Sequence, residues 1–396
     1  MNRSLVWLDR IIFASLIGFA GFSPFSISLT QISCGIGGLA WLARIYLTRS
    51  WRQVKLPLWI PLAGFSLACI LAVVSGVDPA NSFPSLKRLL EILIFFWGVN
   101  CIQSSGDREK VIGVLLAAGG LSTLGGFYHV MEKGFGTNVR VEGTMSVYMT
   151  FAGLLMMVSL VGLGKLAFDR PLRKWVGGCV VLMLACLLLT HTRQAWLGLL
   201  AGIVFLFYVR NKRWVLALPV IMVMVYVLAP WQIQLRMASM VDLKDVTLLN
   251  RVALWEGGWL IFKDHPLLGC GFKCVDVVHS QYPDPTGRIQ KLRGMHNNVI
   301  QLMVDTGLVG MLSWLTVWVG YFLTLRRLAG NAEENDGPER GIRLGCAAAV
   351  LGFLIAGLFE TNLYDGEVSM LLYFIMALPF AAGNWQPRKG LRGGWG

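Results

Sequence analysis

For most of its 396 residues the chain alternates between apolar stretches and short polar connections. Apolar runs cover Ile11–Phe22, Ile27–Leu47, Leu58–Ser75, Leu86–Cys101, Val111–Val130, Thr144–Gly164, Trp175–Leu189, Ala195–Val209 and Trp214–Ala229. A polar stretch of about 66 residues follows, Pro230 to Met295, too long for a simple connector. Apolar runs resume at Asn297–Leu325, Leu344–Phe359 and Val368–Ala382. Each is near the roughly 20 residues that a helix needs to cross a bilayer. The pattern predicts an all-α polytopic membrane protein of about twelve spans: nine in residues 1–229, a large loop at 230–295, and three in 296–396 with a terminal tail. Arg3 and Arg10 precede the first run as in a signal peptide, but no small-residue cleavage site follows, so a retained first helix is expected. Inside the long loop Leu249, Val252, Trp255, Trp259 and Phe262 recur at helical spacing, which predicts an amphipathic helix over Leu248–Phe262 serving packing or interfacial anchoring.

Composition agrees with the pattern. Hydrophobic residues make up 55% of the chain and charged ones only 14%, against about 25% in a soluble domain. Mean hydropathy is +0.61. The net charge of +13 is spread along the chain and forms no basic domain, so nucleic acid is not an expected partner. It is instead sorted by topology. The side holding both termini carries 22 Lys and Arg, the short loops opposite carry five, and the long loop carries eight. Positive charge stays cytoplasmic, so both termini are expected inside and the long loop outside. The eight cysteines are scattered, and the Cys270/Cys274 spacing fits neither a zinc ribbon nor a redox CxxC pair. No disulfide framework and no metal site are predicted.

That topology gathers His129, Arg140, His191, Arg193, the whole long loop, His296, Glu360 and Asp365 on the outer side. Mid-membrane charges are few, chiefly Glu91 and Asp305, whereas an ion-coupled transporter concentrates polar groups near the midplane. The distribution favours an enzyme acting on a lipid-linked substrate over a carrier. His296-Asn297-Asn298 stands where the tenth apolar helix begins, a helix expected to run unbroken to Leu325. An imidazole that is wet on one side and held by a helix start on the other suits proton transfer. The same tripeptide also suits a helix cap with an interfacial histidine. Arg193, in the tight Thr192-Arg193-Gln194-Ala195-Trp196 link, either snorkels to headgroups or binds an anion through its donor fork. Arg140 either does the same or pairs with Glu142. Two such arginines facing one side suit a pyrophosphate, and no Asp-x-Asp pair lies near the outer face to support a divalent-metal mechanism. Arg88, in another short outer connection, and Arg288 and Arg293, just before His296, add further positive charge.

These residues resemble a known family. His296-Asn297 with Gly307 and Gly310 downstream is similar to the histidine motif of bacterial O-antigen ligases and polymerases. Arg251, Trp255 and His265-Pro266-Leu267-Leu268-Gly269-Cys270-Gly271 are similar to its upstream motif. The Arg140–Thr144 stretch and the Thr192–Trp196 turn match two further ones. The sequence departs from the family at Met145-Ser146-Val147, where many members have a Gly-Asn-Pro stretch. The resemblance implies a GT-C-like, inverting glycosyl transfer in the periplasm, at the bacterial inner membrane and without metal or other cofactor. The donor would be undecaprenyl-pyrophosphate-linked O-antigen and the acceptor the lipid A-core oligosaccharide, with membrane lipids around both. His296, Arg193 and Arg140 become the candidate catalytic residues: the arginines for the leaving pyrophosphate, the histidine as base or orienter of the acceptor hydroxyl. Arg288, Arg293, Asn297, Arg251 and Arg88 become candidate substrate contacts. An O-antigen polymerase, an O-oligosaccharyltransferase and a lipid-linked glycan transporter are the alternatives.

Overall fold

The computed structural model describes residues 3–134, 139–169, 171, 173–240, 242, 244–282, 287–329 and 337–382. The basic tail residues Arg388, Lys389 and Arg392 lie outside them. The described residues are helical and contain no strand. Fourteen principal helices follow in order: α1 (Arg3–Phe22), α2 (Ile27–Thr48), α3 (Trp59–Ser75), α4 (Ile92–Cys101), α5 (Ser105–Lys133), α6 (Tyr148–Phe168), α7 (Lys174–Leu189), α8 (Arg193–Arg210), α9 (Leu218–Leu228), α10 (Trp231–Ala238), α11 (Val246–Asp264), α12 (Asn298–Ala329), α13 (Pro338–Ala356) and α14 (Gly366–Ala377). Five of them, α1, α5, α6, α8 and α12, are long and apolar enough to cross a membrane.

Every apolar run falls wholly or largely on helix, with three departures. The run Leu86–Cys101 is α-helical only from Ile92; Pro84 opens a 3-10 segment over Phe83–Glu91 that carries Lys87 and Arg88. The run Trp214–Ala229 divides because Pro219 starts α9 afresh after a single turn at Lys212–Val215. The third departure is in α12, which does not run unbroken. Gly307 has φ 64° and ψ −164°, outside the helical region.

The broken turn would leave backbone groups unpaired at a depth where water is scarce. The His265–Gly271 stretch satisfies them. Cys270 N–H donates to Val304 O at 2.9 Å and Gly271 N–H to Asp305 O at 3.0 Å. In return Pro266 O accepts from Leu308 N–H at 2.9 Å and Leu267 O from Val309 N–H at 3.1 Å. Gly307 is required twice over. Its φ is positive, and a Cβ there would collide with the Leu267 carbonyl. We expect Gly307→Ala to cost roughly 1–3 kcal/mol from the backbone conformation alone, with more from the collision. A thermal melt of the detergent-solubilised variant measures the loss.

The same stretch corrects the cysteine expectation. Cys270 and Cys274 form a disulfide, with Cα atoms 5.7 Å apart, because Gly269 (φ 71°) and Gly271 (φ 92°) turn the chain tightly enough to bring them together. The amphipathic expectation for the loop helix also changes face. In α11 the buried residues are Leu254, Gly257, Gly258 and Ile261, while Leu249, Val252 and Trp259 are exposed.

The bundle core is α6, α8 and α13, whose backbones approach closely through small residues, as membrane helices do. A Cβ on Gly345 of α13 would stand 2.8 Å from Val161 O of α6, and one on Gly352 2.9 Å from Gly198 O of α8. At one end of this core buried charges pair among themselves: Arg108 with Glu339, and Lys165 with Glu109 at 2.8 Å and Asp169 at 2.6 Å. The helix ends opposite carry His191, Arg193, His296 and Glu360.

Candidate active site

His296 is set by its two neighbours. Asn297 caps α12, its Oδ1 accepting from Val299 N–H at 2.8 Å and Ile300 N–H at 3.1 Å, while its Nδ2 donates to Leu358 O at 2.9 Å. Asn298 is stapled to the same link after α13, donating through its backbone to Gly357 O at 2.7 Å and through its side chain to Asn362 Oδ1 at 2.6 Å. The polar atoms of Asn297 are thus committed to the protein, which fits a positioning role better than a substrate contact. Trp255 of α11 donates from its indole to Met295 O at 3.0 Å. Held on both sides, His296 adopts a left-handed φ of 45° and turns its ring to Glu360, with Nδ1 2.9 Å from Glu360 Oε1. The histidine side chain remains 30% exposed and the carboxylate 13%. With Nδ1 carrying the proton to Glu360, Nε2 is left with its lone pair, the tautomer a general base needs.

Arg193 begins α8 from a buried link. Trp196 closes that link by donating to Leu187 O at 3.1 Å, and His191 takes a φ of 54°. The guanidinium donates to Ser239 O, to Asp245 Oδ2 (both 2.9 Å) and to Thr247 Oγ1 at 3.4 Å. It therefore ties the start of α11 to the bundle, and Asp245 also caps that helix. Arg140 does not pair with Glu142 among the described residues. It stacks on the Tyr148 ring, 4.5 Å from its centroid, and donates to the Tyr148 hydroxyl.

Two further arginines join them. Arg236 of α10 donates to His191 O at 3.3 Å. Burial, Arg193 and Arg140 together push its guanidinium down to about 10. Arg251 of α11 is lowered by burial and then by Arg193, while Glu360 pulls it back up. These mutual effects trace one charged region, from the His296–Glu360 pair through Arg251 to Arg193, Arg236 and Arg140. A guanidinium lowered to about 10 still carries its charge at neutral pH. Sequence reasoning singled out Arg140, Arg193 and Arg251 but missed Arg236 and the role of Glu360.

His191 lies inside this region, 6% exposed. Its Nδ1 is buried without a hydrogen-bond partner among the described residues. Burial, Arg236 and Arg140 all hold its pKa below the ordinary histidine value. The folded protein therefore resists a proton that the unfolded chain takes up near pH 6.5. Stability present above that pH is expected to be lost as pH falls below it, through the depressed folded pKa. Melting curves of the wild type and of His191→Asn between neutral and mildly acidic pH test this: the variant, which tolerates the left-handed backbone, should lose that part of the pH dependence.

The other candidates make different contacts. Arg288 donates to Leu249 O at 3.3 Å, at the edge of α11. Arg88 and Arg293 line a separate polar cavity of about 180 Å³ with Lys273, Gln301, Asp305 and Tyr364. Next to the arginine region lies an apolar groove of about 740 Å³ between α5, α7, α9 and α10, lined by Val130, Ala185, Leu189, Met224, Leu228 and Ile233 among others. Leu189 is two residues before His191, and Ile233 one turn before Arg236.

The helical bundle thus carries a carboxylate-held histidine and four arginines at one end, beside an apolar groove. Residues 178–315 match the family model described as O-antigen ligase, which places this segment in the O-antigen ligase family. The match contains Arg193, Arg236, Arg251, the His265–Gly271 stretch and His296. Arg140 and Glu360 lie outside it and join the site only through the fold. No curated protein matches the chain.

Proposed function

We propose that this protein is an O-antigen ligase of the bacterial inner membrane, with about twelve spans and its site facing the periplasm. It transfers O-antigen polysaccharide from undecaprenyl pyrophosphate to the lipid A-core oligosaccharide. What supports the reading is a chain of charged groups: Arg140, Arg193 and Arg236 lie close enough to affect one another, and Arg251 feels both Arg193 and Glu360, the partner of His296. The charge asymmetry of the loops supports the sidedness.

In this reading the apolar groove takes the polyprenyl tail and the arginines take the pyrophosphate. Guanidinium forks match phosphate oxygens and stay charged at any working pH. The acceptor hydroxyl gives its proton to His296 Nε2, and its oxygen bonds to the anomeric carbon from the face opposite the leaving group. The bond from that carbon to the pyrophosphate oxygen breaks, and undecaprenyl pyrophosphate leaves with the electron pair. The configuration inverts. Four arginines neutralise charge that grows on the leaving oxygen, the kind of preorganised stabilisation that contributes most to catalysis. Glu360 holds the ring and stabilises the imidazolium that forms. Glu360→Gln should keep the fold but lower kcat, by up to about 10²-fold, the cost of misplacing a reacting group by about 1 Å. Measuring kcat beside a thermal melt checks this: a loss of rate with an unchanged melt is the expected result.

The test is reconstitution of the purified protein with undecaprenyl-linked O-antigen and lipid A-core. Glycan on lipid A-core supports the ligase. A lengthened undecaprenyl-linked glycan with untouched lipid A-core makes the protein a polymerase. Movement of the lipid between leaflets with no transfer makes it a transporter.

A further inference from the structure

The polar cavity around Arg88 is not used by the donor reading. None of Arg140, Arg193, Arg236 or Arg251 lines it, yet it adjoins the reaction centre. One wall contains Thr361, next to Glu360. Another contains Gln301, whose Oε1 accepts from Met295 N–H at 2.9 Å, directly before His296. The cavity volume of about 180 Å³ suits one small polar group.

Three cations face it: Arg88, Lys273 and Arg293. Two carboxylates accompany them, and both are engaged by protein groups. Asp276 pairs with Arg293 at 3.3 Å. Asp305 is fully buried and accepts from Gln301 Nε2 at 3.1 and 3.0 Å and from the Tyr364 hydroxyl at 2.6 Å. The guanidinium carbon of Arg88 sits over the Tyr364 ring, 4.5 Å from its centroid. A guanidinium held over a ring by cation–π attraction still has N–H groups to offer a ligand. Tyr364 is itself fixed by Asp305, so Arg88 rests on a rigid platform. Lys273 is placed by the turn that the Cys270–Cys274 disulfide closes, and takes a φ of 60°. The disulfide, the break at Gly307 and the buried Asp305–Tyr364 pair thus all support one cationic pocket.

We propose that this cavity is the acceptor subsite and that it binds a phosphate group on the acceptor sugar, next to the residue that is glycosylated. The inference rests on the transferase reading. It adds that the acceptor is recognised through an anionic substituent, on a set of cations separate from those that hold the donor. Donor and acceptor phosphates then flank the His296–Glu360 pair without competing for the same arginines.

Two measurements test it. The first needs no transfer. Thermal stabilisation of the full chain in detergent is measured with glucose phosphate, glucose, inorganic phosphate and added phosphatidylglycerol. Glucose phosphate should stabilise the wild type saturably and glucose should not. The effect should vanish in Arg88→Gln and Lys273→Gln and persist in Arg236→Gln, which alters only the donor side. The proposal is overturned if glucose phosphate has no effect. It is equally overturned if inorganic phosphate or the lipid matches glucose phosphate, or if Arg236→Gln loses the effect while Arg88→Gln keeps it. The second measurement compares phosphorylated with enzymatically dephosphorylated lipid A-core as acceptor. Losing a charge-assisted contact should raise the KM of Arg88→Gln for the phosphorylated acceptor roughly tenfold or more. Its KM for the dephosphorylated acceptor and for the donor should stay unchanged. An equal rise for both acceptors, or a rise for the donor, contradicts the proposal. If the wild type transfers nothing, the ligase reading fails, and the stabilisation experiment still decides whether the cavity binds a sugar phosphate.

Discussion

Replacing His296 with asparagine is expected to lower glycan transfer by on the order of 10² to 10⁴, the contribution of a positioned base. Asparagine is the informative replacement because the position has φ 45°. Alanine resists that conformation, whereas asparagine adopts it readily. The hydrogen bonds that fix the turn belong to Asn297, Asn298, Gln301 and Trp255, and none of these bonds involves the imidazole. Thermal stability should therefore change little while kcat collapses. Donor KM should be nearly unaffected, because the proposed function assigns the pyrophosphate to the arginines rather than to His296. A variant that keeps most of its kcat would remove His296 from the chemistry and leave it as part of the α12 cap.

The second large effect is expected at Arg193, where structure and chemistry overlap. Arg193→Gln breaks a largely buried pair, with side chains 10% and 15% exposed, and leaves Asp245 without its cation. Breaking such a pair costs about 3–5 kcal/mol. Losing one donor to the developing charge should cost a further 10² to 10³ in kcat, roughly. The two losses separate in Asp245→Asn, which keeps Arg193 in place and retains a residue able to cap α11. That variant should be less stable than the wild type yet retain most of its transfer activity. Arg193→Lys should keep the charge but lose the fork, and with it much of the activity. The measurements are kcat/KM and melting temperature for the three variants together. If Asp245→Asn is as inactive as Arg193→Gln, Arg193 serves only to hold the start of α11.

Much of this arrangement is legible in the sequence, and the rest is hidden for identifiable reasons. The apolar runs mark the helices because helical spans must bury their own backbone polar groups and can be read from hydropathy. The tight link at Thr192–Trp196 and the corner at His296–Asn298 are legible because polar side chains interrupt apolar runs there. What the pattern cannot show is pairing across distance. Glu360 is 64 residues from His296 in sequence, and only the return of α13 beside the start of α12 joins them. Arg236 reads as one charge in an ordinary amphipathic turn, and its place among the arginines depends on how α10 folds back against the His191 link. The break in α12 is hidden because glycine is common in membrane helices. Only the docking of Pro266–Gly271 against Val304–Val309 shows why Gly269 and Gly307 both occur. The disulfide follows from that same turn, which spacing alone does not predict.

The central claim is that the arginines around His296 hold the pyrophosphate of a lipid donor. A cryo-electron microscopy structure of the protein with undecaprenyl pyrophosphate tests it most directly. The account predicts the pyrophosphate within hydrogen-bond distance of Arg193 and at least one of Arg140, Arg236 and Arg251, with the polyprenyl chain in the groove between α5, α7, α9 and α10. A pyrophosphate bound at the opposite end of the bundle, beside Arg108 and Lys165, would contradict it.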